Sequence, residues 1–185
     1  MKEIFVPELA MPKWLVEWEA RLVGTAVPTP EAQARLVVEL ACENVRRCTG
    51  GPFAAACFEA AGGRPLALGV NCVVPTGQSL AHAEMMAVAR WQQKSGKRDL
   101  AGVTLAASCE PCVMCQGGVL WSGVDGLVYA APGEFARDVG FDEGDKTQDW
   151  QASLEQRGIT VCGPLLDEDA RLPFDLYRKN GGTIY

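Results

Sequence analysis

Two short segments of this 185-residue chain carry side chains that could bind a metal ion and move a proton. His82 and Glu84 lie two residues apart in the first segment, and Cys112 and Cys115 lie three apart in the second, directly after Pro111. Residues three apart on a helix share one face, so the two thiols could hold one ion. One imidazole and two thiolates form a typical catalytic zinc site, in which a fourth position stays open for water.

His82 is the only histidine in the chain, so any histidine-dependent chemistry must use it. Both segments fall where helices are expected to begin, and the positive end of a helix lowers a thiol pKa and favours the thiolate. Zinc in such a site lowers the pKa of bound water toward neutrality. Glu84 is then expected to carry a proton from that water to the substrate instead of binding the metal.

Cys109 leaves other metal sites open. Cys109, Cys112 and Cys115 have the C-x2-C-x2-C spacing of some iron–sulfur proteins, although Val119 stands where that run has a further cysteine. Cys109 could also complete a four-ligand structural zinc site with His82. A zinc-stabilised interaction domain without catalysis is a further alternative. Glu84 argues against it, because a structural site has no use for a carboxylate beside the metal.

The spacing of apolar residues predicts the elements that position these segments. It indicates helices near 30–48, 81–93, 112–121, 150–156 and 169–179, and strands near 53–60, 66–74, 102–107, 126–131 and 159–161. Thr29 and Pro30 fit the start of the first helix, and residues 61–65 fit a hairpin turn. The order predicts an α/β fold: a three-layer α/β/α sandwich around a mixed five-stranded sheet. We predict one domain over residues 29–185, preceded by an N-terminal extension over residues 1–28.

The composition argues against a nucleic-acid-binding protein, a disulfide-rich scaffold and a secreted or membrane protein. The net charge is −6, from 23 acidic and 17 basic side chains, which argues against a nucleic-acid partner. Eight cysteines are too few for a disulfide scaffold of this length. Neither a secretory signal nor a membrane span is evident, so we expect a cytoplasmic protein with reduced thiols and no membrane partner.

The His-x-Glu and Pro-Cys-x-x-Cys segments together form the signature of zinc-dependent nucleobase deaminases. With residues 51–53, Asn71, 108–115 and 140–143, they resemble the bacterial guanine deaminases of the cytidine deaminase-like superfamily, from about residue 30 to the C-terminus. The resemblance implies hydrolytic deamination of a purine base, guanine to xanthine plus ammonia. It places Zn²⁺ on His82, Cys112 and Cys115, with Glu84 as the proton shuttle.

The resemblance also implies roles for residues that composition alone would assign to packing or to a solvated loop. Glu143, or Glu84 a second time, would pass a second proton to the departing amine. The implied substrate-binding residues are Phe53, Asn71, Ala83, Cys109, Glu110, Asp142 and Tyr185. Similar deaminases are homodimers, in which the C-terminal segment covers the active site of the partner subunit. The small residues in 116–121 could form the contact between the two copies.

Other substrates fit the same metal segments. A tRNA adenosine deaminase shares them but must bind a polyanion, which a chain of net charge −6 is poorly suited to do. Guanosine, aminotriazines and cytosine also remain open, because the size of a pocket cannot be read from sequence.

Overall fold

In the computed structural model, residue 9 and residues 11–185 are described, and they form eight α-helices, one 3-10 helix and five strands. The strands are β1 (Ala54–Glu59), β2 (Pro65–Val70), β3 (Val103–Cys109), β4 (Gly126–Ala131) and β5 (Thr160–Cys162). The α-helices are α1 (Lys13–Arg21), α2 (Pro30–Arg46), α3 (Val73–Thr76), α4 (Ala83–Ser95), α5 (Val113–Ser122), α6 (Glu134–Val139), α7 (Trp150–Glu155) and α8 (Leu172–Lys179), with the 3-10 helix at Glu168–Arg171.

The strands form one mixed sheet in the order β2-β1-β3-β4-β5. β1 is antiparallel to both β2 and β3, whereas β3, β4 and β5 run parallel. Alternate residues of β1 enter different cores: Ala56 and Phe58 pack with α2 and α8, and Ala55 and Cys57 pack on the other face with α4. The predicted α/β fold with a mixed five-stranded sheet and helices on both faces is confirmed.

Several elements differ from the sequence predictions. Helix α4 begins and ends two residues later than predicted, whereas the predicted start of α2 is confirmed, with the Thr29 side chain accepting a hydrogen bond from Ala32 N–H at 3.2 Å. Helices α1, α3 and α6 were not predicted. Helix α3 includes Val73 and Val74, the end of the strand predicted over 66–74, and the helix predicted over 169–179 begins as the 3-10 helix. Helices α3 and α6 have four and six residues, too few to show an apolar period.

Helix α1 lies inside the predicted extension and packs on the free edge of β2. The Glu19 carboxylate accepts a hydrogen bond from Leu68 N–H at 2.9 Å and pairs with Arg90 of α4 at 3.0 Å. Arg90 also donates to the Leu68 carbonyl. The edge strand therefore has side-chain partners for its outward backbone groups. The division into an extension over 1–28 and a domain over 29–185 stays a prediction, and residues 1–8 and 10 lie outside the described chain.

The topology brings three chain segments to the same end of the sheet. Because β1 runs opposite to its two neighbours, its first residue lies at the end of the sheet where β2 and β3 finish. Phe53, Asn71 and Glu110 therefore meet there, directly before β1, after β2 and after β3. Helix α4 approaches β2 closely over Gly69, where a Cβ atom would overlap the Ala83 carbonyl oxygen. Of the helices in the described residues, none is long and apolar enough to cross a membrane.

Candidate active site

The three predicted metal ligands lie together at the starts of two helices. His82 is the N-cap residue of α4 and Cys112 is the N-cap residue of α5, while Cys115 lies in the first turn of α5. His82 Nδ1 is 3.5 Å from Cys112 Sγ and 3.7 Å from Cys115 Sγ, and the three ligand atoms lie within 4.8 Å of one another. Tetrahedral zinc with ordinary Zn–N and Zn–S bonds separates such atoms by about 3.5 Å. The donor set and its spacing therefore fit zinc.

Electrostatics at these ligands favour a thiolate. Hydrogen bonds from Cys115 and from His82 lower the pKa of Cys112 to about 4, although burial opposes them. The pKa of Cys115 is raised, first by its hydrogen bond to Cys112 and then by burial. The thiol pair therefore favours a thiolate, which supplies the negative charge that a metal ligand requires.

Cys109 is not part of this ligand group. It is 3% exposed at the end of β3, and its thiol donates to the Pro132 carbonyl at 3.6 Å. Burial raises the pKa of Cys109 well above its ordinary value, so this thiol is held in the neutral form. The arrangement does not support the iron–sulfur and four-ligand alternatives that used Cys109.

A cavity of about 210 Å³ opens beside the ligands. Two ligands and six other predicted site residues line it: His82, Cys112, Phe53, Glu84, Glu110, Asp142, Glu143 and Tyr185. Val73, Ser79 and Phe141 also line the cavity and were not predicted to do so. These three are apolar or small residues in loops and a short helix, and no local pattern distinguishes them from packing residues.

Three predicted substrate-binding residues do not line the cavity. Ala83 is fully buried, Cys109 lies behind the wall, and Asn71 is 1% exposed. Asn71 is nevertheless close to the cavity, because a Cβ atom at Gly51 would lie 3.1 Å from Asn71 Oδ1 and 2.6 Å from the hydroxyl of the lining residue Tyr185. Asn71 Oδ1 accepts from Val73 N–H at 3.2 Å, which orients the amide at the end of β2.

Asn44 of α2 supports the backbone around Asn71 and was missed by sequence reasoning. Its fully buried amide donates to the carbonyl oxygens of Gly51 and Asn71, both at 2.9 Å. Its Oδ1 accepts from the Thr49 hydroxyl at 2.7 Å, and Thr49 in turn accepts from Trp14 Nε1 at 3.0 Å. Helix α1 is thus connected to the active-site end of the sheet by a chain of hydrogen bonds.

One wall of the cavity is aromatic. The rings of Phe53 and Phe141 meet edge to face with centroids 5.0 Å apart, and Phe141 meets Tyr185 at 5.3 Å. The resemblance implied that the C-terminal segment covers the site of a partner. In the described chain Tyr185 lines the cavity of its own chain and lies near His82, with ring centroids 6.4 Å apart.

Two buried carboxyl groups face the cavity, Glu84 at 8% exposure and Glu143 at 7%. Burial raises the pKa of Glu84 above its ordinary value, and the nearby Cys112 adds to the increase. Burial raises the pKa of Glu143 to about 7, against a partly opposing effect of the Lys146 ammonium group. Asp142 is exposed and closes a turn by accepting from Gly144 N–H at 2.9 Å. The solvated-loop interpretation therefore fits Asp142 and not Glu143.

Comparison with known proteins decides the family. Residues 29–131 match the cytidine and deoxycytidylate deaminase zinc-binding region. The chain belongs to this deaminase family. It is a zinc-dependent aminohydrolase, and the matched region contains His82, Glu84, Cys112 and Cys115.

Relatives of this deaminase extend the match beyond the zinc-binding region. A guanine deaminase from Bacillus subtilis (strain 168) is 33% identical over 149 residues, which cover 80% of this chain and 94% of the relative. The solved structure of a guanine deaminase from Nitrosomonas europaea is 39% identical with a TM-score of 0.85, over 94% of this chain and 97% of the other. A further solved structure, a complex with 2,6-diaminopurine, is 40% identical with a TM-score of 0.87, over 96% and 95% of the two chains.

Proposed function

We propose that this deaminase converts guanine and water to xanthine and ammonia. The observation that carries the proposal is the match to guanine deaminases over almost the whole chain, including residues beyond the zinc-binding region. The cavity agrees with it, because about 210 Å³ lies below the roughly 300–1,000 Å³ of pockets for drug-sized ligands and suits a molecule the size of a base.

His82, Cys112 and Cys115 would hold the zinc ion. When bound, zinc supplies a water of lowered pKa as the nucleophile for the amino-bearing ring carbon. Glu84 takes a proton from the nucleophile and delivers it to the adjacent ring nitrogen, a role suited to a buried carboxyl with a raised pKa. Glu143 takes the proton that remains on the added oxygen and passes it to the amine, so ammonia leaves as the carbonyl of xanthine forms.

The remaining residues hold the base. Phe53 provides an apolar contact for the purine ring, and the Asn71 amide hydrogen-bonds its polar edge. Glu110 and Asp142 line the cavity and accept hydrogen bonds from ring N–H or amino groups, while Tyr185 encloses the base. Ala83 and Cys109 contribute through the backbone at the start of α4 and the end of β3.

The test measures ammonia release from guanine, guanosine, adenine, cytosine, cytidine and ammeline, with zinc content determined on the same sample. Guanine is expected to be the best substrate. Glu84→Gln is expected to keep its zinc and lose about 10²–10⁴-fold in kcat. Glu155→Gln, an exposed carboxylate on α7, serves as the matched control and is expected to retain full activity. A zinc-loaded wild type without activity on guanine would contradict the proposal.

The tRNA alternative is disfavoured by the charge of the cavity wall. Asp142 is an exposed carboxylate at the cavity and the chain carries a net charge of −6, so phosphate groups near the mouth would be repelled. A tRNA substrate that is deaminated faster than guanine would overturn this argument.

We further propose that the exposed face of α5 contacts a second copy of this chain. Trp121 is 86% exposed and Val113 is 47% exposed, and Gly117 has open space where a Cβ would lie. An apolar face next to ligand Cys112, in a chain that resembles dimeric deaminases, fits a homodimer contact. Sedimentation is expected to show a dimer that Trp121→Glu dissociates, whereas a monomeric wild type would contradict the proposal.

A further inference from the structure

We propose that Lys146 is a positioning residue that holds the Glu143 carboxylate at the cavity wall. The inference rests on the proposed function, since it concerns how one acid of that reaction is kept in place. Lys146 lies outside the region that matches the family and outside every motif of the sequence analysis. It also does not line the cavity, so its effect must pass through the residues that do.

The Lys146 side chain is 9% exposed, and its ammonium group has a separate acceptor for each of its three protons. Nζ lies 2.7 Å from Glu110 Oε1, 3.2 Å from the Pro111 carbonyl oxygen and 3.4 Å from Glu143 Oε2. A buried lysine needs such partners, because an unpaired ammonium group is costly to remove from water. The ammonium group is therefore a fixed point between two loops.

The two loops come from distant parts of the chain. One runs from the end of β3 through Glu110 and Pro111 to the metal ligand Cys112, and the other contains Glu143. A backbone hydrogen bond from Val113 N–H to the Glu143 carbonyl, at 3.0 Å, joins their main chains. Lys146 joins their side chains. Within residues 11–185, the Glu143 carboxylate has no other ion pair or hydrogen bond, so its orientation depends on this contact.

The Lys146 and Glu110 pair lies in crowded surroundings. At Gly133 a Cβ atom would lie 3.1 Å from Arg137 Nη1, 3.2 Å from Lys146 Nζ and 3.3 Å from Glu110 Oε1, tighter than most Cβ contacts. Among the described residues, Lys146 is also the only basic side chain paired with a carboxylate of the cavity wall. Without it, the partly buried Glu110 and the buried Glu143 would have no ion-pair partner among the described residues.

The test is a double-mutant cycle on kcat/KM with the zinc-loaded enzyme. Lys146→Gln is expected to lower kcat/KM roughly 10- to 100-fold, the scale of displacing a catalytic group by about 1 Å. In a Glu143→Gln background, the same change is expected to cost less than about 2-fold, because Lys146 then has no Glu143 carboxylate to orient. Lys146→Arg keeps the charge but replaces three separately aimed donors by a planar group, so partial recovery is expected.

Lys94→Gln is the matched control. Lys94 pairs with Glu19 at 2.6 Å, far from the cavity, so its loss removes an ion pair without touching the site. We expect unchanged kcat/KM for this variant. Zinc content and thermal unfolding are measured for every variant. A variant with normal zinc content and a normal Tm has an intact metal site and fold, so a lower kcat/KM then reports a displaced Glu143.

Two results would overturn the inference. One is that the double mutant loses kcat/KM by the product of the losses from Lys146→Gln and Glu143→Gln. The other is that Lys146→Gln loses its zinc. If Lys146→Gln does not fold, the double-mutant cycle is measured with Lys146→Arg instead, and multiplying losses would again overturn the inference. Inactivity of the wild type on guanine would instead contradict the proposed function. The cycle would then use whichever substrate of the panel is deaminated, so the two failures remain distinguishable.

Discussion

Replacing Asn44 by alanine should destabilise this deaminase more than any loss of a single surface contact. The change removes the donor for two buried carbonyl groups, those of Gly51 and Asn71, and the acceptor for the Thr49 hydroxyl. A buried polar group left without a partner costs about 1–3 kcal/mol. Two such carbonyls give an expected loss of about 3–5 kcal/mol in the free energy of unfolding, a large part of a typical total of about 5–15 kcal/mol.

Urea unfolding at constant zinc concentration measures this loss, and thermal unfolding should show a decrease of roughly 6–20 °C. Thr49→Ser is the matched control, because it retains the hydroxyl that bonds to Asn44 and Trp14 and leaves the two carbonyls paired. It should cost about 1 kcal/mol or less, the contribution of one methyl group. Because the Asn71 backbone is released, the KM for guanine should rise in Asn44→Ala. A loss below about 1 kcal/mol would refute the reasoning that Asn44 satisfies these carbonyls.

Three further predictions concern the supports of the site. Gly69→Ala should displace α4, which directly follows His82, and so reduce bound zinc several-fold in dialysed protein. Gly62→Ala should not, because its Cβ would make only an ordinary 3.6 Å contact with Glu59 Oε2. Glu19→Ala should lower the free energy of unfolding by about 2–3 kcal/mol, since it leaves the 10%-exposed Arg90 unpaired. Removal of the exposed Arg35 pair should cost less than about 1 kcal/mol. Chelation of zinc should abolish ammonia release and lower Tm, and added zinc should restore both.

The metal site could be predicted from sequence because its geometry is local. Cys112 and Cys115 are separated by one helical turn, and His82 and Glu84 by two residues, so two short segments specify most of the arrangement. Only the meeting of the two segments required the fold. The 3.5 Å between His82 and Cys112 confirms that they meet.

Asn44 and Lys146 could not be predicted because their function depends on distant partners. Asn44 contacts a carbonyl 27 residues away, and Lys146 contacts Glu110, 36 residues away along the chain. Each looks in sequence like an ordinary polar residue, one in a helix and one in an acidic loop. Resemblance singled out Glu143, but its burial and its partner came only from the structure.

The metal ligands and Glu143 are held in place differently, so mutations near each should have different effects. The predicted metal ligands lie directly before or in the first turn of a helix, and α4 packs directly on β2 beneath His82, so their positions are set by the core of the fold. Glu143 lies in a loop, and its carboxylate is held by the Lys146 ammonium group. Changes in the loop should thus reduce turnover at full zinc content, whereas changes beneath α4 should reduce zinc content first. The order in which zinc and activity are lost distinguishes a damaged metal site from a displaced acid.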